Sequence, residues 1–175
     1  KTYLVNSGTE AIEGALKLAR RVTGRSQWIS CHNAYHGNTM GRMSVMGFEE
    51  RKQIFRPLIL EVEFITFNNE ADPEKITTRT AGVLLETIQG GAGFIEPQND
   101  FLKKVRQRCD EVGAIMILDE IQPGFGRTGK LFGFQNYDVV PDVMTFAKSI
   151  TNGMNPLSDL WAKEKYISPK VFTPG

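Results

Sequence analysis

Short apolar runs of five or six residues, rich in β-branched and aromatic side chains, recur along this chain, and between them lie longer stretches whose apolar positions return every three or four residues. The first pattern predicts strands and the second amphipathic helices. Strands are expected at 2–6, 27–31, 62–67, 82–86, 114–118 and 143–147. The clearest helix runs from about Thr9 to Val22, with Ala11, Ile12, Ala15, Leu16 and Ala19 forming its apolar stripe. A second runs from about Asp100 to Val112, where Gly113 is a natural stop. Alternation of strand and helix predicts a three-layer α/β fold with a mostly parallel sheet flanked by helices. Nothing repeats and no Ser/Gly/Pro-rich block divides the chain, so one domain is expected over 1–175. The chain opens on an apolar strand without an initiator methionine, and Phe172-Thr173-Pro174-Gly175 reads as a loop. It is therefore expected to be a piece of a longer protein and the domain to be partial.

Composition narrows the partners. Among 175 residues, 41% hydrophobic and 23% charged is ordinary globular usage, and 21 basic against 20 acidic residues leaves a formal charge of +1. With no basic run, neither nucleic acid nor an acidic membrane surface is expected as a partner, and a small molecule is. No apolar stretch approaches the roughly 18 residues that would span a bilayer. Cys31 and Cys109 form no C-x-x-C pair, so neither a disulfide framework nor a zinc site is expected and a cytoplasmic compartment fits.

The chemistry gathers where strands end. Asn6-Ser7-Gly8-Thr9-Glu10 joins a strand to a helix, which turns backbone amides and the positive end of a helix dipole outward and makes an anion site. Gly8 would let backbone approach a phosphate, and Ser7 or Thr9 could add a donor or could merely cap the helix. Asp119-Glu120 follows the apolar run 114–118, at the strand end where open α/β sheets bind ligands. A carboxylate there can hold a protonated ring nitrogen; a helix cap or a magnesium ligand is the alternative, although no G-x-x-x-x-G-K-[ST] loop occurs. Gln122 could donate to a ring oxygen. The G-x-G of Gly124-Phe125-Gly126 lacks the third glycine of a dinucleotide fingerprint.

Lys148 ends the 143–147 run, where a desolvated amine is a nucleophile for an aldehyde and an exposed one is merely solvated. In Cys31-His32-Asn33-Ala34-Tyr35-His36-Gly37, Tyr35 could stack on a flat ring, and His36 suits a structural role bonded to nearby backbone as well as a catalytic one. His32 and His36 lack the glutamate of an H-E-x-x-H pair, so no metal site is expected.

Together Asn6-Ser7-Gly8-Thr9-Glu10-Ala11, Tyr35-His36-Gly37, Glu86-x-Ile88-Gln89-Gly90, Asp119-Glu120-x-Gln122-x-Gly124-Phe125-Gly126-Arg127-x-Gly129 and Ala147-Lys148 resemble the class III aminotransferases, which include acetylornithine, ornithine and 4-aminobutyrate aminotransferases. The resemblance covers nearly the whole chain. It implies the large domain of fold type I transferases that use pyridoxal 5'-phosphate (PLP), and a homodimer. It implies that Ser7, Gly8 and Thr9 hold the phosphate, Tyr35 stacks on the ring, Asp119 pairs with its nitrogen, Gln122 contacts its oxygen and Lys148 carries it as a Schiff base. His36 and Glu86 belong to the same cofactor-binding set. The reaction implied moves an amino group from an amino acid or amine, acetylornithine-like or ornithine-like, to a keto acid such as 2-oxoglutarate. An aminomutase or racemase of the same fold is the alternative within PLP chemistry. A non-catalytic relative or inactive fragment is the alternative outside it.

Three positions depart from that family. Thr87 stands where many members have proline, and Gly91 stands where ornithine- and aminobutyrate-type members have a glutamate that gates a substrate-binding arginine. Asp159 replaces a small residue and adds a charge near the lysine loop.

Overall fold

In the computed structural model, which describes residues 1–58 and 61–166, the apolar runs become strands of one seven-stranded sheet. In chain order the elements are β1 (Thr2–Val5), α1 (Gly8–Thr23), β2 (Gln27–Cys31), α2 (Met40–Val45), α3 (Glu49–Lys52), β3 (Glu61–Ile65), β4 (Thr80–Glu86), α4 (Phe101–Val112), β5 (Ile115–Asp119), β6 (Val143–Phe146) and β7 (Ser158–Ala162). The sheet order is β1-β7-β6-β5-β4-β2-β3. The pairs from β3 through β6 are parallel, and β7 runs antiparallel to both β6 and β1. The mostly parallel α/β sheet expected from the alternation is the one observed.

Side chains of a strand alternate between faces, and the two cores follow that period. On one face Trp28, Leu84, Ile115, Ile117 and Val143 pack against Ile12, Ala15, Leu16 and Ala19 of α1. On the other, Ile29, Val83, Leu85, Met116 and Leu118 pack against Phe101, Leu102, Val105 and Cys109 of α4. Helix α1 therefore buries the stripe its sequence predicts, α4 buries an apolar face of its own on the opposite side, and the sheet is the middle layer. Ser7 starts α1 with a capping box: its hydroxyl accepts from the Glu10 amide while the Glu10 carboxylate accepts back. Gly24, at φ +68°, ends the helix in the left-handed conformation that glycine adopts without strain.

Boundaries lie within two residues of expectation, and α2, α3 and β7 are new. β7 was not expected: the strands expected from the sequence end at 143–147. Its polar residues are nevertheless buried: Asp159 lies opposite Phe146 and Leu4, and its carboxylate accepts the Tyr3 amide at 3.1 Å. Burial raises the Asp159 pKa, so the charge expected near the lysine loop is turned into the seam between β7 and β1. The loop expected at Phe172–Gly175 lies outside the described residues.

A buried carboxylate knits the far end of this sheet. Asp142, just before β6, accepts from Arg106 of α4 at 2.7 Å, the Met116 amide at 3.0 Å, Lys163 at 2.9 Å and Tyr166 at 3.2 Å. Burial alone would raise its pKa; the Lys163, Met116 and Arg106 contacts outweigh burial and lower it. Asp142→Ala is expected to destabilise the fold by about 3 kcal/mol, since it strands a buried amide and unpairs two cations. Because the folded-state pKa lies below the unfolded one, this contribution is complete above about pH 4 and fades as pH falls through the folded value. Urea unfolding of both proteins at neutral pH and at pH 3 checks this, the gap between them narrowing in acid.

Candidate active site

Parallel strands deliver their carboxyl ends to one edge of the sheet, and here three adjacent strands do so in register. Glu86 ends β4 opposite Asp119 at the end of β5, and Asp119 lies opposite Thr145 of β6, three residues before Lys148. A cavity of about 950 Å³ opens there. Its floor includes Glu86, Asp119 and Lys148, and Ser7, Gly8 and Thr9 at the start of α1 form one side. Tyr35 and Gln122 line it as well. Residues distant in sequence that were singled out for chemistry are thus brought to one place.

Gly8 makes the convergence possible. A Cβ there would stand 2.7 Å from Ile121 Cδ1 and 3.3 Å from Ala147 Cβ, so a larger residue would have to push the Ile121 side chain aside for α1 to begin this close to the ends of β5 and β6. The first amides of α1 have no partner within the helix, and they face an edge that already carries the helix dipole. Ser7 does cap the helix, as its alternative reading held, through its oxygen; its hydroxyl hydrogen remains available to a ligand.

Asp119 is held from two sides. Its Oδ2 lies 2.8 Å from His36 Nδ1 and its Oδ1 accepts the Ile121 amide at 3.0 Å. Since an ionised carboxylate only accepts, His36 donates through Nδ1 and sits behind Asp119, fully buried, with Nε2 unpartnered among the described residues. The partner of His36 is thus a carboxylate 83 positions away and not nearby backbone. Glu86 accepts the Tyr35 and Gly90 amides, both at 2.9 Å, and so fixes the loop that carries the aromatic. Burial raises the Glu86 pKa against the opposing pull of His36.

The second acid of the pair has a different task. Glu120 is fully buried and accepts from Thr87 Oγ1 at 2.6 Å and from the Gly133 and Phe134 amides at 2.8 and 2.9 Å. Thr87 thus supplies a donor that proline could not, which accounts for that departure. Burial raises the Glu120 pKa, and these three donors oppose it.

Lys148 is exposed to the cavity and holds φ +44°, a left-handed conformation that costs a non-glycine residue about 1 kcal/mol. Strain of this kind collects at functional positions. Tyr35 keeps 38% of its surface exposed and lines the cavity, and Gln122 lies over Gly90, where any Cβ would overlap its Oε1. Cys31 and Cys109 are buried thiols, both pushed up in pKa by burial, Cys109 to about 12. Among the described residues no group of three or more His, Cys, Asp or Glu could hold a metal ion.

Three cavity features were not anticipated. Arg42 of α2 turns inward, Arg51 of α3 stacks its guanidinium 4.6 Å from the Phe48 ring centre, and Phe48 covers Gly91. A Cβ at Gly91 would lie 3.1 Å from the Phe48 ring, so the space beside Gly91 is taken by an aromatic edge. The sequence holds no local signal for any of these, because α2 and α3 are too short to show a period.

A helix N-terminus, a strand-end acid and a lysine beyond a strand end thus meet around one cavity at the carboxyl edge of an α/β sheet. The chain belongs to the class III aminotransferase family, whose model matches residues 1–174. It is 47% identical over 150 residues to a [LysW]-aminoadipate semialdehyde/glutamate semialdehyde transaminase of Sulfolobus acidocaldarius, covering 86% of this chain and 39% of the relative. It is 42% identical to the acetylornithine aminotransferase of Clostridium acetobutylicum, covering 100% of this chain and 46% of the relative. Ornithine aminotransferase from Toxoplasma gondii superimposes with a TM-score of 0.93 at 29% identity, covering 100% of this chain and 43% of that one. Taurine:2-oxoglutarate aminotransferase from Bifidobacterium kashiwanohense, solved with PLP and glutamate, does so with a TM-score of 0.82 at 32% identity, covering 95% and 43%. The chain thus spans less than half the length of these relatives.

Proposed function

We propose that this chain supplies the cofactor-binding part of a PLP-dependent aminotransferase that moves an amino group from an amino acid or amine to a keto acid. The observation that carries the reading is the placement of Asp119 and Lys148 on adjacent strand ends beside the opened N-terminus of α1. The residues fit the group: Gly8 brings the N-terminus of α1 close against Ile121 and Ala147 beside the strand ends, where a helix start favours a phosphate, Tyr35 offers a partly exposed ring, and Asp119 is a buried carboxylate with an orienting partner. When bound, PLP supplies a ring that takes up the electron pair left when the donor's carbon loses its proton. Ser7, Gly8 and Thr9 would hold its phosphate, Asp119 would keep a proton at its ring nitrogen, and Gln122 would face its ring oxygen. Lys148 would bind its aldehyde carbon at rest and, once displaced by the donor, would carry the proton between donor carbon and cofactor.

The relatives' names favour acylated or semialdehyde-related amino acids as substrates, with ornithine-like donors next. A partial large domain, a homodimer and a cytoplasmic setting complete the proposal. They are supported by the share of the relatives the chain covers, by the family resemblance, and by two buried thiols without a disulfide. No helix among the described residues is long and apolar enough to cross a membrane.

The test is glutamate formation from 2-oxoglutarate by the protein with PLP and a panel of donors headed by acetylornithine and ornithine. Glutamate that requires both PLP and a donor is expected. A protein that consumes a donor but forms no new amino acid from 2-oxoglutarate, pyruvate or any other keto acid offered would be moving the amino group within one substrate or inverting a centre, and the transamination reading would fall.

A further inference from the structure

Arg42 is a buried cation that the roles above do not use. It keeps 5% of its surface exposed yet contributes to the cavity wall. Its Nη1 donates to Thr9 Oγ1 in the first turn of α1, and its Nε is buried without a partner among the described residues. The fold makes specific room for it. Gly37 runs at φ +116°, and any Cβ there would overlap the guanidinium. Glu13 of α1 accepts from Thr39 Oγ1 and, at 3.2 Å, from the Arg42 amide, which fastens the start of α2 to α1 and sets where Arg42 begins. Burial lowers the Arg42 pKa, opposed by the charges of Asp119, Tyr35 and Glu13.

An arginine buried for packing is ordinarily matched by a carboxylate in a forked pair, because an uncompensated buried charge is costly. Here Asp119 and Glu13 act on the guanidinium without an ion pair to it among the described residues; it donates to a neutral hydroxyl, and its own cavity wall adjoins a turn whose amides and dipole already favour an anion. By accepting from Arg42, Thr9 Oγ1 also leaves its own hydrogen to be donated elsewhere.

We propose that Arg42 is an anion-binding residue of the cofactor site, which places its positive charge beside the phosphate of PLP and directs the Thr9 hydroxyl hydrogen toward it. The proposal rests on the cofactor reading above and adds to it a charged member that the Ser7-Gly8-Thr9 turn does not contain. A substrate carboxylate is the other anion with matching chemistry, and the test separates the two.

Equilibrium dialysis of PLP, pyridoxal and inorganic phosphate against the wild-type protein, Arg42→Met, Arg42→Lys and Thr9→Val gives the comparison, with circular dichroism as the check on folding. Pyridoxal shares the ring and aldehyde but lacks the phosphate. Loss of a charge-assisted hydrogen bond predicts that Arg42→Met weakens PLP roughly 10- to 100-fold. Pyridoxal should change by less than about twofold, and Thr9→Val should weaken PLP in the same direction by less. Arg42→Lys, which keeps the charge and loses the fork, should fall between. Equal weakening of PLP and pyridoxal, or an unchanged ratio between them, overturns the proposal. So does an unchanged PLP affinity with a raised KM for 2-oxoglutarate, which would assign Arg42 to the substrate. If Arg42→Met fails to fold, an unchanged ratio in Thr9→Val alone is sufficient to reject it. A wild-type protein that binds no PLP sinks the cofactor reading and this proposal with it, whereas an unaltered ratio in folded variants sinks this one alone.

Discussion

Lys148→Ala is expected to lower the PLP-dependent amino-transfer rate by about 10⁴-fold or more while leaving the fold intact, since both the nucleophile and the proton carrier disappear together. Among the described residues that line the cavity, Lys148 is the sole lysine and no histidine accompanies it, so no neighbouring amine can stand in. His36 is sealed behind Asp119 and cannot reach a substrate carbon. Because the missing group is an amine facing open cavity, ethylamine in the assay should restore part of the rate. Lys148→Gly should be equally inactive but more stable than Lys148→Ala by about 1 kcal/mol, because glycine relieves the left-handed backbone. Thermal unfolding of the two variants reads the backbone, and the rate reads the chemistry. A Lys148→Ala protein that keeps a substantial share of the wild-type rate would end the catalytic reading.

Asp119→Asn should lower kcat by about 10²- to 10³-fold, the scale on which a fixed charge opposite a developing one acts in a dry site. Asparagine has nearly the same shape, so the Ile121 amide keeps its acceptor and the fold survives. What changes is the charge, and with it the ability to hold a proton on the ring nitrogen. The His36 side also changes, because the partner of Nδ1 becomes neutral. A drop in kcat with KM for the keto acid nearly unchanged is the expected signature of a group that acts in the chemical step. A variant with near wild-type kcat would show that Asp119 serves only to fasten the end of β5.

Much of this arrangement could be read from the chain because its signals are local. The possible cap at Ser7, the stripe of α1 and the continuous apolar run of β5 each lie within a few residues, and each corresponds to a real element. What stayed hidden depends on residues that meet only after folding. Asp119 and Glu120 look equivalent as neighbours, yet the strand period sends one into the cavity and the other toward Thr87 and Phe134, 33 and 14 positions away. Arg42 carries no signal of its role in the sequence, and it is buried only where α2 meets α1. Ser158 and Asp159 carry no apolar strand signal because their burial is created by β1 and β6 on either side.

The covering of Gly91 by Phe48 bears on how such a site can change over generations. Glycine codons ending in a purine become glutamate codons by a single nucleotide change, so from such a codon the gating acid of ornithine-type relatives is one mutational step away. Yet the aromatic edge at 3.1 Å stands in the path of that side chain, and moving it disturbs Arg51 stacked above. The order of substitutions therefore matters: a smaller residue at 48 opens the route, and the same acid arriving first meets a steric penalty. Positions 48 and 91 should accordingly vary together among descendants of this chain, one tracking the other as donor preference shifts.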